Sequence, residues 1–282
     1  MQEEGLDVDL QLLFPVTDAA RMLADGSIDL LAGAAHAPLY VDHRWSKVKL
    51  LCTLARHTYW FLVVRDDSAW THDDIGKLHD LTIGAAPGPD VTLRQLLIET
   101  GGPIDDRNVT VAPVPGTDRD SISFGVTAAE ALANGRIDAF WANGMGATVA
   151  VSTGVGRVIH DARRDGLVDA DYTFPSFMAA TTTVDQRPEV VAAATRAIVR
   201  AQQVLVADPD RATAIGKKHF PPMEAGLIAD LIRRDGPWYR PEISARSVDA
   251  LNDFARKAGL LDEDAVPYEA VVAAEAAKEW KS

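Results

Sequence analysis

The sequence predicts an α/β protein of two similar lobes, on three observations. Strand-like and helix-like segments alternate as far as Thr183. A helix–turn–strand–loop phrase is written twice, as LADGSIDLLAG (Leu23–Gly33) and LANGRIDAFWANG (Leu132–Gly144). From Pro188 onward the pattern turns to helices alone.

The elements follow in order. Leu6–Phe14 alternates polar and apolar residues, as a strand does. Thr17–Ala24 reads as a short helix with Thr17 as its N-cap, ended by Gly26, and Ile28–Leu31 as a short strand. Lys49–Leu54 and Thr58–Arg65 are two more strands, rich in β-branched and aromatic residues. Ser68–Leu78 is a loop and short helix, with Asp73 and Asp74 near its start. Leu81–Ala85 is a strand, and the run Pro87-Gly88-Pro89 turns the chain into a helix over Asp90–Thr100. That helix gathers Leu93, Leu96 and Leu97 on one face and stops at Gly101-Gly102. Asn108–Val114, Ile137–Trp141, Val158–His160 and Phe177–Thr183 are extended; Ala128–Ala133 and Thr148–Thr153 are helical. The helices Pro188–Ala207, Pro209–Lys218, Pro222–Arg234 and Ser247–Lys257 follow, with one more over Tyr268–Trp280.

In each copy of the phrase, Asp or Asn followed by Gly makes the left-handed turn that stops a helix, and Ile-Asp opens a buried strand of parallel type. Small-residue loops come next, Ala32-Gly33-Ala34-Ala35-His36 in one copy and Ala142-Asn143-Gly144-Met145-Gly146 in the other. Ligands of open α/β sheets sit beyond the carboxyl ends of strands, so both loops are candidate ligand edges.

The bulk numbers exclude other classes. Of 282 residues, 28 are Lys or Arg and 41 are Asp or Glu, for a net charge of −13. With no basic run, a nucleic-acid or anionic-membrane surface is not expected. The single cysteine, Cys52, lies in an apolar run and reads as a small buried hydrophobe. It forms no disulfide within the chain and no cysteine-based metal site. No run approaches the ~20 apolar residues of a membrane span. The acidic N-terminus carries no secretory signal.

Four stretches carry a family resemblance: EEGLDVDLQLL, LADGSIDLLAG, TIGAAPGPDVTLRQLL and LANGRIDAFW. Together they resemble the periplasmic solute-binding proteins of ABC importers (type II fold). The nearest branch takes aliphatic sulfonates, taurine, nitrate and similar anions, and includes the thiamine-pyrimidine synthase-like enzymes. The resemblance implies two α/β lobes joined by two crossing segments, near Arg65–Leu81 and Asp171–Thr183, that close over a ligand. Lobe I would take residues 1–78 and 178–282, and lobe II residues 79–177. It implies a monomer with a small-molecule anion and an ABC permease as partners, meeting a membrane only through that permease or a lost lipid anchor. Family members usually open with a strand and helix before Glu-Glu-Gly-Leu-Asp-Val, which here follow Met1 directly. The expectation is therefore that Met1 is an internal methionine or a misassigned start. The protein is then periplasmic or extracellular, and cytoplasmic if Met1 is the true start.

Candidate ligand residues follow from the same loops. Gly84–Thr92 joins a strand to a helix start, where backbone N–H groups and the helix dipole attract an anion. The family uses this loop for the acidic head of its solute, which singles out Ala86, Gly88, Asp90, Val91 and Thr92. Pro87 and Pro89 lack N–H donors, and Asp90 brings a negative charge that serves equally as an N-cap. Gly33, Ala34 and His36 lie on the first repeat's loop, and Trp141 and Asn143 on the second's. Many relatives place Trp-Glu-Pro where this chain has Trp141-Ala142-Asn143, so a carboxylate is replaced by an amide. The residues leave open whether His36 touches ligand or is merely solvated, and whether Trp141 lines the site or the core. Thr17 offers a hydroxyl, Tyr59 or Trp60 an aromatic cover, and Phe174, Ser176 and Phe177 lie on the return crossing.

Catalysis has a thinner signal. None of the seven histidines forms an H-x-x-x-H or H-x-H pair, and no Gly-x-Ser-x-Gly elbow is present. No catalytic residue, metal or cofactor is expected. The synthase-like enzymes use a Cys-rich iron-binding motif that one cysteine does not match. The leading expectation is a binding component for a small organic anion. The alternative is an enzyme on the same scaffold, a decarboxylase or pyrimidine-synthase-like protein acting on an aromatic or heterocyclic acid.

Overall fold

A computed structural model describes residues 1–13, 15–117, 124–262 and 266–282. In chain order the elements are α1 (Val16–Asp25), β1 (Leu30–Ala34), β2 (Val48–Thr53), β3 (Trp60–Arg65), β4 (Leu81–Ala85), α2 (Asp90–Gly101), β5 (Val109–Ala112), α3 (Phe124–Ala133), β6 (Ala139–Asn143), α4 (Gly144–Ser152) and β7 (Gly156–Asp161). They continue with β8 (Pro175–Ala180), α5 (Thr181–Gln186), α6 (Pro188–Ala207), α7 (Asp210–His219), α8 (Pro222–Asp235), α9 (Ala245–Lys257), α10 (Tyr268–Val271) and α11 (Ala274–Ala277).

The chain divides into two compact units: Met1–Thr58 with Asp171–Asp208 and Arg233–Ser282, and Tyr59–Ala170 with Pro209–Ile232. In the first, β8 lies between β1 and β2 and pairs antiparallel with both. Phe177, Ala179, Leu51 and Cys52 pack there with Val191 and Ala194 of α6. By length and composition α6 could cross a membrane. It is instead an amphipathic helix of this unit: Gln202 donates to the carbonyls of Thr53 and Leu54, and Arg196 and Arg200 pair with Glu4.

The second unit holds a sheet in the order β5-β4-β6-β3-β7. β4 runs parallel to β5 and β6, while β3 runs antiparallel to β6 and β7. One face buries Leu62, Ile83, Leu93, Leu96, Leu97 and Trp141; the other buries Phe61, Val63, Leu132 and Phe140 against α3 and α4. β3 falls in this unit because its pairing strands do, although the sequence reading grouped residues 1–78 with the other lobe.

Several expectations give way to the structure. Residues 6–13 form no strand: the alternation is present, but Val8, Leu10 and Leu12 are exposed; Phe14 lies outside the described residues. The first repeat's strand is an antiparallel edge strand, not a parallel one, because β8 is its neighbour. Only the second repeat enters a parallel pair, where Asp138 and Thr82 exchange hydrogen bonds. Phe177–Thr183 is extended only to Ala180, after which α5 begins. The helix expected from Ser247 begins at Ala245 as α9, with Ser244 as its N-cap accepting from the Ser247 N–H at 3.0 Å. Extended backbone at Val272 breaks the expected last helix into α10 and α11.

Candidate functional site

Three helix starts flank the loops singled out by the sequence, and each is satisfied differently. α2 follows β4 through Ala86-Pro87-Gly88-Pro89. Gly88 turns with φ +101, which suits a residue without Cβ. Its N–H donates to Asp90 Oδ1 at 2.9 Å, and Asp90 Oδ2 pairs with Arg94 at 3.3 Å. The N–H groups of Asp90, Val91 and Thr92 donate to the carbonyls of Ala86, Gly88 and Pro89. Thr92 is buried; its hydroxyl accepts the Trp141 indole N–H at 2.8 Å and donates to the Pro89 carbonyl at 2.6 Å. Asp90 is thus not the N-cap, a position Pro89 fills. Its carboxylate instead takes the Gly88 N–H.

α4 follows β6 directly. Asn143, exposed, is its N-cap and accepts from the N–H groups of Met145 and Gly146 at 3.1 and 3.2 Å. Its amide oxygen therefore serves the helix. Trp141 is fully buried, stacked 6.4 Å from Trp60 and 6.2 Å from His160. Burying an indole of this kind stabilises by roughly 4–6 kcal/mol, so the core role decides its placement. Tyr59 packs on Trp60 at 4.6 Å, and burial pushes its phenol pKa up against the opposing pull of Arg163.

α1, like α2, has a proline at its N-cap. Pro15 sits at its N-cap and supplies no side-chain acceptor, so Thr17 lies inside the first turn rather than capping it. The helix start adjoins β1: a Cβ placed on Gly33 would lie 3.8 Å from Val16 Cγ2. Farther along, Ala34 is buried and Ala35 donates to the Phe174 carbonyl at 2.8 Å. His36 is buried too, not solvated. Its Nδ1 lies 2.7 Å from the Thr173 hydroxyl, and its ring meets Tyr40 and Phe254 edge-on at 5.7 and 5.5 Å. Phe177 is core, Phe174 is buried, and Ser176 donates to the Cys52 carbonyl. Cys52 is buried, which pushes its thiol up to about 12.

Sequence reasoning passed over a clamp around the return segment in the first unit. His57, with φ +67, places Nδ1 2.6 Å from Asp171 Oδ1, while Ser247 and Arg246 approach Asp171 Oδ2 at 3.3 and 3.5 Å. Thr58 donates to the Thr173 carbonyl at 2.7 Å. Nothing local in the sequence signals this, since its partners lie 75 to 115 positions apart.

Residues 1–212 match the family model described as NMT1/THI5 like. The chain belongs to the NMT1/THI5-like family. Solved structures place this NMT1/THI5-like chain in the type II periplasmic-binding-protein fold. It is similar to a putative periplasmic sulfonate-binding protein SsuA from Methylobacillus flagellatus KT, with TM-score 0.65, 17% identity, and coverage of 93% of this chain and 77% of that one. It is similar to the periplasmic nitrate-binding protein NrtA from Synechocystis PCC 6803, with TM-score 0.63, 15% identity, and coverage of 88% and 72%. The desulfurization enzyme DSZB, as a C27S mutant in complex with biphenyl-2-sulfinic acid, gives TM-score 0.66 at 18% identity, with coverage of 99% and 92%. No curated protein matches this NMT1/THI5-like chain significantly in sequence.

Proposed function

We propose that this NMT1/THI5-like chain is a solute-binding component of an ABC importer, working outside the cytoplasm with a permease and taking a small organic anion such as a sulfonate or carboxylate. The observation that supports it most is a family match over residues 1–212 on a fold shared with a sulfonate-binding and a nitrate-binding protein. Of the three helix starts, α1 and α2 both have a proline N-cap without a side-chain cap; because Asp90 already takes the Gly88 N–H beside α2, we place the acidic head of the solute at α1. Thr17 would donate its backbone N–H and hydroxyl, and Gly33 would leave room beside them. At α2 the Asp90 carboxylate occupies the corresponding position, and at α4 Asn143 does.

An enzymatic reading finds a structural neighbour in the desulfurization enzyme. This chain's one thiol is buried and held as the protonated, unreactive form, which weighs against a cysteine nucleophile.

A thermal-shift screen of the full chain against alkanesulfonates, taurine, nitrate and small carboxylates tests the proposal. At least one should raise Tm in a concentration-dependent way. The Thr17→Glu chain, carrying a carboxylate in the first turn of α1, should lose that shift while keeping its own Tm within a few degrees. A shift unaltered by Thr17→Glu and strengthened by Asp90→Ala would move the head group to α2.

A further inference from the structure

His160 on β7 has a buried side chain with no exposed surface, and neither ring nitrogen makes a hydrogen bond. A buried imidazole without a partner is costly, and each such group calls for an explanation. Two metal-ligating side chains face it. Nδ1 of His160 lies 3.4 Å from Asp165 Oδ2, and Nδ1 of His72 lies 3.5 Å from the same oxygen. One ligand atom from each of the three residues falls within 4.8 Å of the others. Two donors on a tetrahedral ion with bonds of about 2.0–2.2 Å sit about 3.3–3.6 Å apart, so the His160–Asp165 separation already matches the edge of such a site.

We propose that His72, His160 and Asp165 form a binding site for one zinc-class divalent cation in the second unit. Two imidazoles and a carboxylate suit zinc, cobalt or nickel better than the hard cations magnesium and calcium.

Each of the three side chains sits on a defined support. His160 pairs with Leu62 across the sheet, and its ring is backed by Trp141 at 6.2 Å. His72 opens a short helix fixed by a reciprocal Thr71–Asp74 capping box. Asp165 is oriented by the Asp161 N–H, which donates to its Oδ2 at 2.6 Å. Asp161 itself is engaged with Arg164 and with the Arg163 N–H. His72 and Asp165 are 38% and 30% exposed, so an ion reaches the site from solvent and keeps a position for water.

Loading asks one adjustment of the more exposed ring. His72 now stacks parallel to His160 at 5.8 Å and donates Nδ1–H to the Ile159 carbonyl at 3.1 Å. It must rotate out of the stack to turn a lone pair toward the ion, and it gives up that hydrogen bond. His72 and His160 are far apart in sequence, which is why motif spacing carried no sign of the site.

The test uses the full chain, treated with chelator and then titrated with ZnCl2 by calorimetry and with CoCl2 by visible absorption. One equivalent should bind per chain, and cobalt should give the intense visible bands of a four- or five-coordinate ion. His72→Ala and Asp165→Asn change partly exposed side chains, and circular dichroism checks that both remain folded. Each should weaken binding by about tenfold or more. Absence of saturable binding, six-coordinate cobalt spectra alone, or undiminished affinity in both variants would overturn the proposal.

Discussion

At the scale of single residues, most candidates prove to be occupied by the protein itself. Thr92 joins the Trp141 indole to the Pro89 carbonyl, so Thr92→Val leaves the buried indole N–H without an acceptor. That should cost about 1–3 kcal/mol, read as a lower midpoint in urea with an unchanged slope. Asp171 offers a pH-dependent counterpart. Burial alone would raise its pKa, but the hydrogen bonds from His57 and Ser247 and the charge of Arg246 outweigh it, and the net shift is downward. A carboxylate with a lowered folded-state pKa contributes stability that is complete above its unfolded value of about 3.9 and lost as pH falls through the folded one. Denaturation of wild type and Asp171→Asn should therefore show a stability gap at neutral pH that closes in acid below about pH 4. A gap that stays constant there would contradict the assignment. Residue types were legible in the sequence; their partners were not. His36 reads as a loop histidine because nothing nearby announces Thr173, Tyr40 and Phe254 around it.

Elements were more legible, because period and punctuation are local. β4 spans Leu81–Ala85 and α6 spans Pro188–Ala207, as the sequence reading has them, since Gly, Pro and apolar spacing mark their ends. The Leu6–Phe14 alternation misleads because period two reports a preference for strand, while a strand also needs a neighbour. The two repeats diverge for a related reason: pairing is decided by distant chain, so one strand meets β8 antiparallel and the other meets β4 in parallel. Where α3 and α4 touch, glycine permits the contact. A Cβ on Gly125 would lie 2.7 Å from Gly146 Cα, and one on Gly146 would lie 2.7 Å from Ala142 Cβ. Gly125→Ala should therefore lose about 1–3 kcal/mol in chemical denaturation despite alanine's better helix propensity. A gain in stability would mean that α3 and α4 do not approach this closely.

For the whole molecule, the family resemblance carried by four short stretches agrees with the NMT1/THI5-like match over residues 1–212 and with the periplasmic-binding-protein fold. Fold class was legible because the order of motifs constrains topology more than any one motif does. The ligand was not, because solute choice rests on a few side chains whose meeting depends on the folded chain. The net charge of −13 does not oppose an anionic solute, since charges farther than ~8 Å from the first turn of α1 are largely screened at physiological salt. Calorimetric titration of the purified full chain with the anion that shifts its Tm most, followed by recovery and mass analysis of that anion, tests the central claim most directly. The account predicts saturation at one equivalent and an anion returned chemically intact. Flat titrations across the whole panel, or an anion recovered as a different compound, would contradict it.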